Sequence, residues 1–445
     1  MSVSRHVEPQ DTLDAIDALV AEFPDLPHEV FVKEDLLRRG VWFTPAALQR
    51  GHTFARKAYF IFSFDHVPLA EMDAAVHEHA PEEIALEGGA LGFRRVVVSV
   101  RLNPASPWLV DVAATGAVEL RCGGERIAGV SFAPRPPWYG VQLADGTPIT
   151  EVAPAIEWGY LLYLTVFRMC QYFGREEECQ FCDINHNFRQ QREAGNPYFA
   201  VKPVERLLEA LDQVVASGGT PQAYTLTGGS ITARVDGLDE VGFYLRYAEA
   251  IEARFPGRWL GKMVVQALPR PDVERIRRSG IRIYHPNYEV WDPALFRTLC
   301  PGKERYVGRA EWMRRILEAA EVFSPQGVIP NFVAGVEMAA EGGFRRPEDA
   351  WRSTGEGLDY FMSHGVVPRF TTWCPEPMSV LGAAHGPAPL RYHAGLLRVW
   401  RDTLMKHSLK APPGYGEPGI GRAVFSVSSF MDVMDPATGV AVLPC

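Results

Sequence analysis

The feature that most constrains this chain is a regular alternation of apolar, β-rich stretches with helical ones, beginning near residue 160. Strand-like segments fall at 160–168, 223–229, 259–268, 281–290, 328–338 and 366–375, and helical segments follow them at 201–217, 237–254, 271–280, 308–323, 347–365 and 389–408. The helical reading rests on apolar spacing and on stop signals. Segment 201–217 ends at Gly218–Gly219, and segment 271–280 opens on Pro271 and closes on Gly280. Six βα units with short links require parallel strands and right-handed crossovers. The expected fold class is therefore α/β, a partial (β/α)6 barrel of the TIM type, in which function collects at the C-terminal ends of the strands.

Three regions are expected: an N-terminal α+β, β-rich accessory domain (1–150), the core (151–408) and a short C-terminal extension (409–445). Residues 9–37 read as helical, with a cap at Asp11, and KAYFIFSF, FRRVVVSVRL, WLVDVAA, AVELRCGG, ERIAGVSFA and GVQLADGTPIT read as strands. The extension carries a loop and a strand pair, AVFSVSSF and GVAVLP. The accessory region is a candidate cover for the strand ends, a substrate grip, a homodimer surface or plain scaffold. The net charge of −9 and the lack of a basic patch argue against a nucleic-acid partner. No apolar signal core or long apolar run points to a membrane, so a cytoplasmic location is expected. Seven irregularly spaced cysteines do not suggest a disulfide framework.

Cys170, Cys179 and Cys182 stand close together, spaced C-x8-C-x2-C, in the loop after the first strand. Three thiolates suit a four-iron cluster with one iron left open. Together with His186 they are an alternative zinc site of the CCCH kind that binds RNA or a partner, although the middle gap of two residues departs from that family's five, and the C-x2-C pair alone suits a redox dithiol. Other polar or glycine positions sit at the remaining strand ends: Thr227–Gly228–Gly229–Ser230, Gln266, Asn287 and Glu289, Gly335 and Glu337, Arg369 and Cys374. Each alone has a structural explanation, but together they form a ring at one mouth. Cys374 is a candidate hydrogen-atom donor or substrate contact, against the alternative of a buried core thiol. His285 and Tyr288 are substrate-contact candidates, against packing beneath the mouth. Cys122, Cys300 and Cys445 lie far apart in sequence, so a second cluster is not expected.

With these residues in place, residues 158–385 resemble the radical S-adenosylmethionine (SAM) superfamily, and the PNYEVWD stretch resembles its biotin-synthase-like branch. The resemblance implies a [4Fe-4S] cluster on Cys170, Cys179 and Cys182, with Phe181 near the SAM adenine. It implies that Thr227–Gly228–Gly229–Ser230 holds the SAM amino group, with Ser230 where the family has an acidic residue. Asn287 and Glu289 match the ribose contacts, and Gln266, Gly335 and Arg369 complete the cofactor-binding candidates. Glu337 follows Gly335 by two residues rather than the family's three, and the first cysteine gap is eight rather than three. The implied activity is reductive cleavage of SAM to a 5′-deoxyadenosyl radical that abstracts hydrogen from a small organic substrate in biosynthesis. An electron donor such as flavodoxin or ferredoxin is the implied partner. A peptide- or protein-modifying role is the alternative within the same class.

Overall fold

The structure is a computed structural model that describes residues 8–50, 53–174, 176–415 and 425–434. The N-terminal region is a six-stranded sheet of order β1-β4-β5-β6-β2-β3, formed by β1 (Trp42–Phe43), β2 (Glu83–Gly88), β3 (Phe93–Ser99), β4 (Trp108–Val112), β5 (Val118–Cys122) and β6 (Glu125–Phe132). All its pairings are antiparallel except β1 with β4. The single helix expected over 9–37 is two, Pro9–Glu22 and His28–Arg39, because Pro24 and Pro27 interrupt the ladder between them.

The core follows the expected alternation closely. The short β7 (Ala155–Ile156) pairs antiparallel with β8 (Leu161–Phe167), and β8 runs parallel to β9 (Ala223–Gly228), β10 (Leu260–Val265) and β11 (Ile281–Pro286). A second parallel pair, β12 (Asn331–Ala334) and β13 (Arg369–Thr372), joins β11 through isolated parallel bridges at Tyr284–Val328 and Glu289–Phe332. The chain is thus a mixed α/β fold whose six parallel strands alternate with helices. Helix Val204–Ala216 shows why: Leu207, Ala210, Leu211 and Val214 recur three and four residues apart and are all buried. Alternate strand residues face one cavity, including Tyr163, Thr225 and Thr227, Lys262 and Val264, His285, Asn331 and Val333, and Arg369 and Thr371.

Three expected strands are corrected. KAYFIFSF is irregular: Tyr59 and Phe64 take positive φ (49° and 50°), and side chains satisfy its backbone carbonyls. Tyr198 donates to the carbonyl of Ala58 (2.6 Å), and Asn187 donates to those of Tyr59 and Ile61 (3.2 Å each). GVQLADGTPIT is a turn closed by one bridge between Gln142 and Pro148. In the extension, residues 425–434 form turns and no strand, and GVAVLP lies outside the described residues.

Those turns nonetheless tie the two ends of the chain together. The backbone of Val427 accepts from Thr372 of β13, Ser426 accepts from Ser99 of β3, and Lys33 pairs with Asp432 at 2.7 Å with both side chains fully buried. Lys33 also donates to the carbonyl of Phe425 (3.2 Å). Removing one partner of such a pair strands a charge away from water. Lys33→Met should therefore lower unfolding stability by about 3–5 kcal/mol in urea titration, and adding Asp432→Leu should restore much of the loss.

Candidate active site

One cavity gathers most of the residues singled out in the sequence. Its wall includes Cys170, Cys179 and Cys182, Phe181, Thr227 through Ser230, Gln266, His285, Asn287, Glu289, Arg369 and Cys374. The three cysteines lie in the loop between β8 and helix Ile184–Glu193, and Cys182 closes a turn onto the carbonyl of Cys179 (3.0 Å). The loop is fixed from both sides. Asn185 in the following helix accepts from the Cys170 amide (2.7 Å) and donates to its carbonyl (3.2 Å). On the other side the turn after β9 meets the loop backbone to backbone, with Gln171 donating to the carbonyl of Ser230 (2.9 Å) and Gly229 to that of Phe167 (3.1 Å).

That contact explains both glycines. A Cβ on Gly229 would stand 2.0 Å from the Met169 carbonyl oxygen and 2.5 Å from Cys170 Cα, and one on Gly228 would stand 2.4 Å from the Phe167 carbonyl oxygen. The obstacles are backbone atoms, which cannot swing away. The same approach turns the amides of Tyr172 and Ser230 toward the Cys170 thiol. Burial raises the thiols of Cys170 and Cys182 above their ordinary range, and the neighbouring thiols add to the rise for Cys182. Amide donors act in the opposite direction and favour the thiolate, the form a metal takes.

The donor set fits an iron–sulfur cluster in kind: three cysteines on one cavity wall, with backbone amides directed at sulfur. The single-ion alternative loses a member, because His186 packs edge-on against Phe173 (5.6 Å between centroids) and does not line the cavity. Among the described residues, no three His, Cys, Asp or Glu side chains converge as a one-ion site.

The eight-residue gap has a structural partner that the sequence did not reveal. Between β11 and helix Arg309–Phe323 lie two further helices, Pro293–Leu299 and Pro301–Tyr306. Tyr172 stacks on Tyr306 (5.5 Å), Glu177 pairs with Arg305 and accepts from the Tyr306 hydroxyl (2.9 Å), and Gly302 donates to the Glu177 carbonyl (2.9 Å). The long loop thus folds onto an inserted helix pair. Asp292, which caps the amides of Ala294 and Leu295 ahead of Pro293, was the readable signal for the first of them.

The insertion also brings in two groups unforeseen as site residues. Cys300, remote in sequence, is fully buried in an apolar cluster against which Cys179 and Phe181 pack. Lys303 donates to Glu289 (2.6 Å) and to the Asn287 carbonyl (2.9 Å). Burial opposes its charge, but Glu289 and the two thiols outweigh burial and hold the ammonium above its usual range. Glu289 is therefore already engaged, whereas the Asn287 carbonyl oxygen of the side chain is buried with no partner. Gln266 is held between the hydroxyl of Tyr172 (2.7 Å) and Glu240.

Four candidates sit differently from the sequence reading. Tyr288 turns away from the cavity into an aromatic cluster with Trp291, Phe296, Phe332 and Phe361, as its place between Asn287 and Glu289, which share the cavity face, requires of an extended chain. Gly335 (φ +110°) leaves β12 for a short helix Val336–Ala339, and Glu337 accepts from Tyr392 (2.6 Å) and Thr354 (2.9 Å) behind the strand, a structural network. Arg369 begins β13 rather than ending it, at the opposite end from the cysteines. Cys374 does line the cavity, buried against Arg101, and burial raises its thiol well above the ordinary range.

The irregular segment 58–64 supplies an apolar wall beside the cysteines through Phe60, Ile61, Phe62 and Phe64, and Cys170 and Cys182 pack against the cluster that Phe60 and Ile61 belong to. It is tied down by Ser63, whose hydroxyl donates to Asp183 (2.7 Å), and by the Phe64 amide on Glu376 (2.9 Å).

Gly229→Ala should push the cysteine loop off the second strand. Its expected effect is a loss of unfolding stability of about 1–3 kcal/mol or more in urea titration, while an alanine at Gly386, which meets nothing within 4 Å, leaves stability unchanged. No protein-family model matches the sequence, and no curated protein matches it. In shape the chain is similar to methylornithine synthase PylB, at 13% identity and a TM-score of 0.37, over 59% of this chain and 75% of that one. It is similar to coproporphyrinogen III oxidase HemN from Escherichia coli, described as a radical SAM enzyme, at 13% identity and a TM-score of 0.35, over 56% and 52% of the two chains. It is also similar to the radical SAM methyltransferase TsrM from Kitasatospora setae, at 14% identity and a TM-score of 0.34, over 50% of this chain and 38% of that one.

Proposed function

We propose that this chain is a radical SAM enzyme whose six parallel strands form an open (β/α)6 barrel around the cavity. The observation that carries this reading is the backbone-level junction of the three-cysteine loop with the Gly228–Gly229 turn, on one cavity wall at the strand C-terminal ends. Cys170, Cys179 and Cys182 would hold a [4Fe-4S] cluster, leaving one iron without a protein ligand. SAM would lie along Thr227–Ser230, Gln266 and Asn287, with Phe181 beside the adenine. When bound, cluster and SAM together supply reductive cleavage of the sulfonium and hydrogen-atom abstraction from a substrate C–H bond.

The protein's own residues do the rest. Phe60, Ile61, Phe62 and Phe64 exclude water from the space beside the cysteines, which protects a reactive centre. Lys303 and Glu289 neutralise each other, so the cofactor end carries no uncompensated charge from this pair. Asn287 offers its unpaired carbonyl oxygen to a hydroxyl. A small organic molecule is the substrate class this buried space accommodates, and a one-electron donor of the flavodoxin or ferredoxin kind is the partner the chemistry requires. A cytoplasmic setting suits the cluster.

Protein reconstituted without oxygen should be brown, absorb broadly near about 400 nm and carry about four irons and four sulfides per chain. With dithionite and SAM it should release 5′-deoxyadenosine. Cys170→Ala, Cys179→Ala or Cys182→Ala should each remove the colour and abolish that product. A colourless protein with a single zinc and no sulfide would overturn the proposal.

A further inference from the structure

The end of the cavity away from the cysteines holds a second polar constellation that the cofactor reading does not use. Along β10, Lys262 lies four residues before Gln266, about 13 Å deeper at the rise of an extended strand. Arg369 opens β13, and His285 faces the same cavity from β11. Glu157 enters from the turn between β7 and β8. That turn is strained: Glu157 and Trp158 both take positive φ (53° and 58°), held there because Glu83 accepts from both amides at 2.8 Å.

These groups are unsatisfied in a complementary way. Glu157 is 1% exposed and both its carboxylate oxygens lack a hydrogen-bond partner among the described residues. His285, also 1% exposed, meets the Ile329 carbonyl through Nδ1 (2.9 Å). A carbonyl only accepts, so Nδ1 carries the proton, and Nε2 is a bare acceptor with no partner. Arg369 spends one nitrogen on the Tyr415 hydroxyl (3.1 Å) and leaves Nε unpaired. Lys262 donates to the Gly414 carbonyl and rests over the Tyr415 ring at 4.4 Å. The buried Lys262 and the half-buried Arg369 thus face one carboxylate with which neither forms an ion pair among the described residues. Burial brings Lys262 down to about 8 and Glu157 up to about 7, as groups awaiting a counter-charge do.

We propose that this end is the substrate site for a small amino-acid-like molecule, its carboxylate bound by Arg369 and Lys262 and its ammonium by Glu157, with His285 Nε2 as a further acceptor. The reading rests on the radical SAM assignment of the same cavity and names the substrate class for it. A hydroxy acid would satisfy the cations and His285 but leave Glu157 without an ion partner. A hydrocarbon or a cationic amine would leave Arg369 and Lys262 uncompensated.

The test is equilibrium dialysis of the full-length protein, reconstituted and as isolated, against the standard L-amino acids. For any that binds, the methyl ester, the N-acetyl derivative and the 2-hydroxy analogue serve as controls. At least one amino acid should bind, and the ester and N-acetyl forms should each bind about tenfold or more weakly, the loss expected for a hydrogen-bonded charge. Arg369→Gln should weaken the acid about as much and leave the ester's affinity unmoved. Glu157→Gln should do the same for the free amine against the N-acetyl form. SAM binding should be unchanged in both variants. No binding by any amino acid, equal binding of acid and ester to the wild-type protein, or stronger binding of the 2-hydroxy analogue would overturn the proposal. Because dialysis on wild-type protein needs neither iron nor turnover, a failed iron assay and a failed substrate assignment would be told apart.

Discussion

The contact between the turn after β9 and the cysteine loop after β8 is the constraint around which the rest of the site is arranged. Two parallel strands end side by side, and the segments leaving them must share one space. They do so at backbone distance, which only glycine permits at 228 and 229. Once the loop is seated there, Cys170 is fixed by Asn185 and by amides directed at its sulfur, and the remaining residues of the loop must travel outward before returning at Cys179. The inserted helices after β11 receive that excursion through Tyr172 and Glu177. The long gap between cysteines and the inserted helix pair are therefore one structural device, because neither would be supported without the other.

A second constraint follows from leaving β8 and β13 unjoined. Edge strands present unpaired backbone groups, and here three separate chain segments cover them. The short β7 pairs with β8, the extension meets β13 at Val427, and Arg101, fully buried, donates to the carbonyls of Leu37 and Thr372. Arg101 also bears on Cys374 and through it on the cavity wall. The N-terminal sheet is thus tied to the core, and the irregular segment 58–64 acts as a wall of the cavity.

The parallel strands and their helices were legible because the hydrophobic period switches cleanly between two and about 3.6, and because proline and glycine mark the helix ends. The cysteines, the Gly-Gly turn, Gln266 and Asn287 were legible because each sits at a strand end. What escaped was set by tertiary context. Tyr288 lies between Asn287 and Glu289 and so takes the opposite face, where tertiary packing supplies an aromatic cluster instead of the cavity. Segment 58–64 has the composition of a strand, but side chains of residues 187 and 198 take the bonds a neighbouring strand would have made. The packing of Cys179 against the cluster that holds Cys300 spans more than a hundred residues and has no local trace.

Arg369 shows how a strand's direction decides a residue's chemistry. Read as flanking the end of the sixth strand, it belongs with the cofactor candidates, but as the first residue of β13 it belongs with Lys262 and Glu157 at the far end. Each of the buried groups there costs on the order of 1–3 kcal/mol while unsatisfied, and the fold keeps several of them together. Apolar side chains of similar size would avoid that cost, and one, Val264, stands two residues from Lys262 on the same strand. Polar groups at this depth, in a cavity that Phe60, Phe62, Phe64 and Tyr163 also line, are consistent with a ligand of opposite pattern. A cavity that divides its charges in this way, a compensated Lys303–Glu289 pair near the cysteines and uncompensated groups at the other end, would keep the proposed cofactor and the proposed substrate apart by electrostatics as well as by distance.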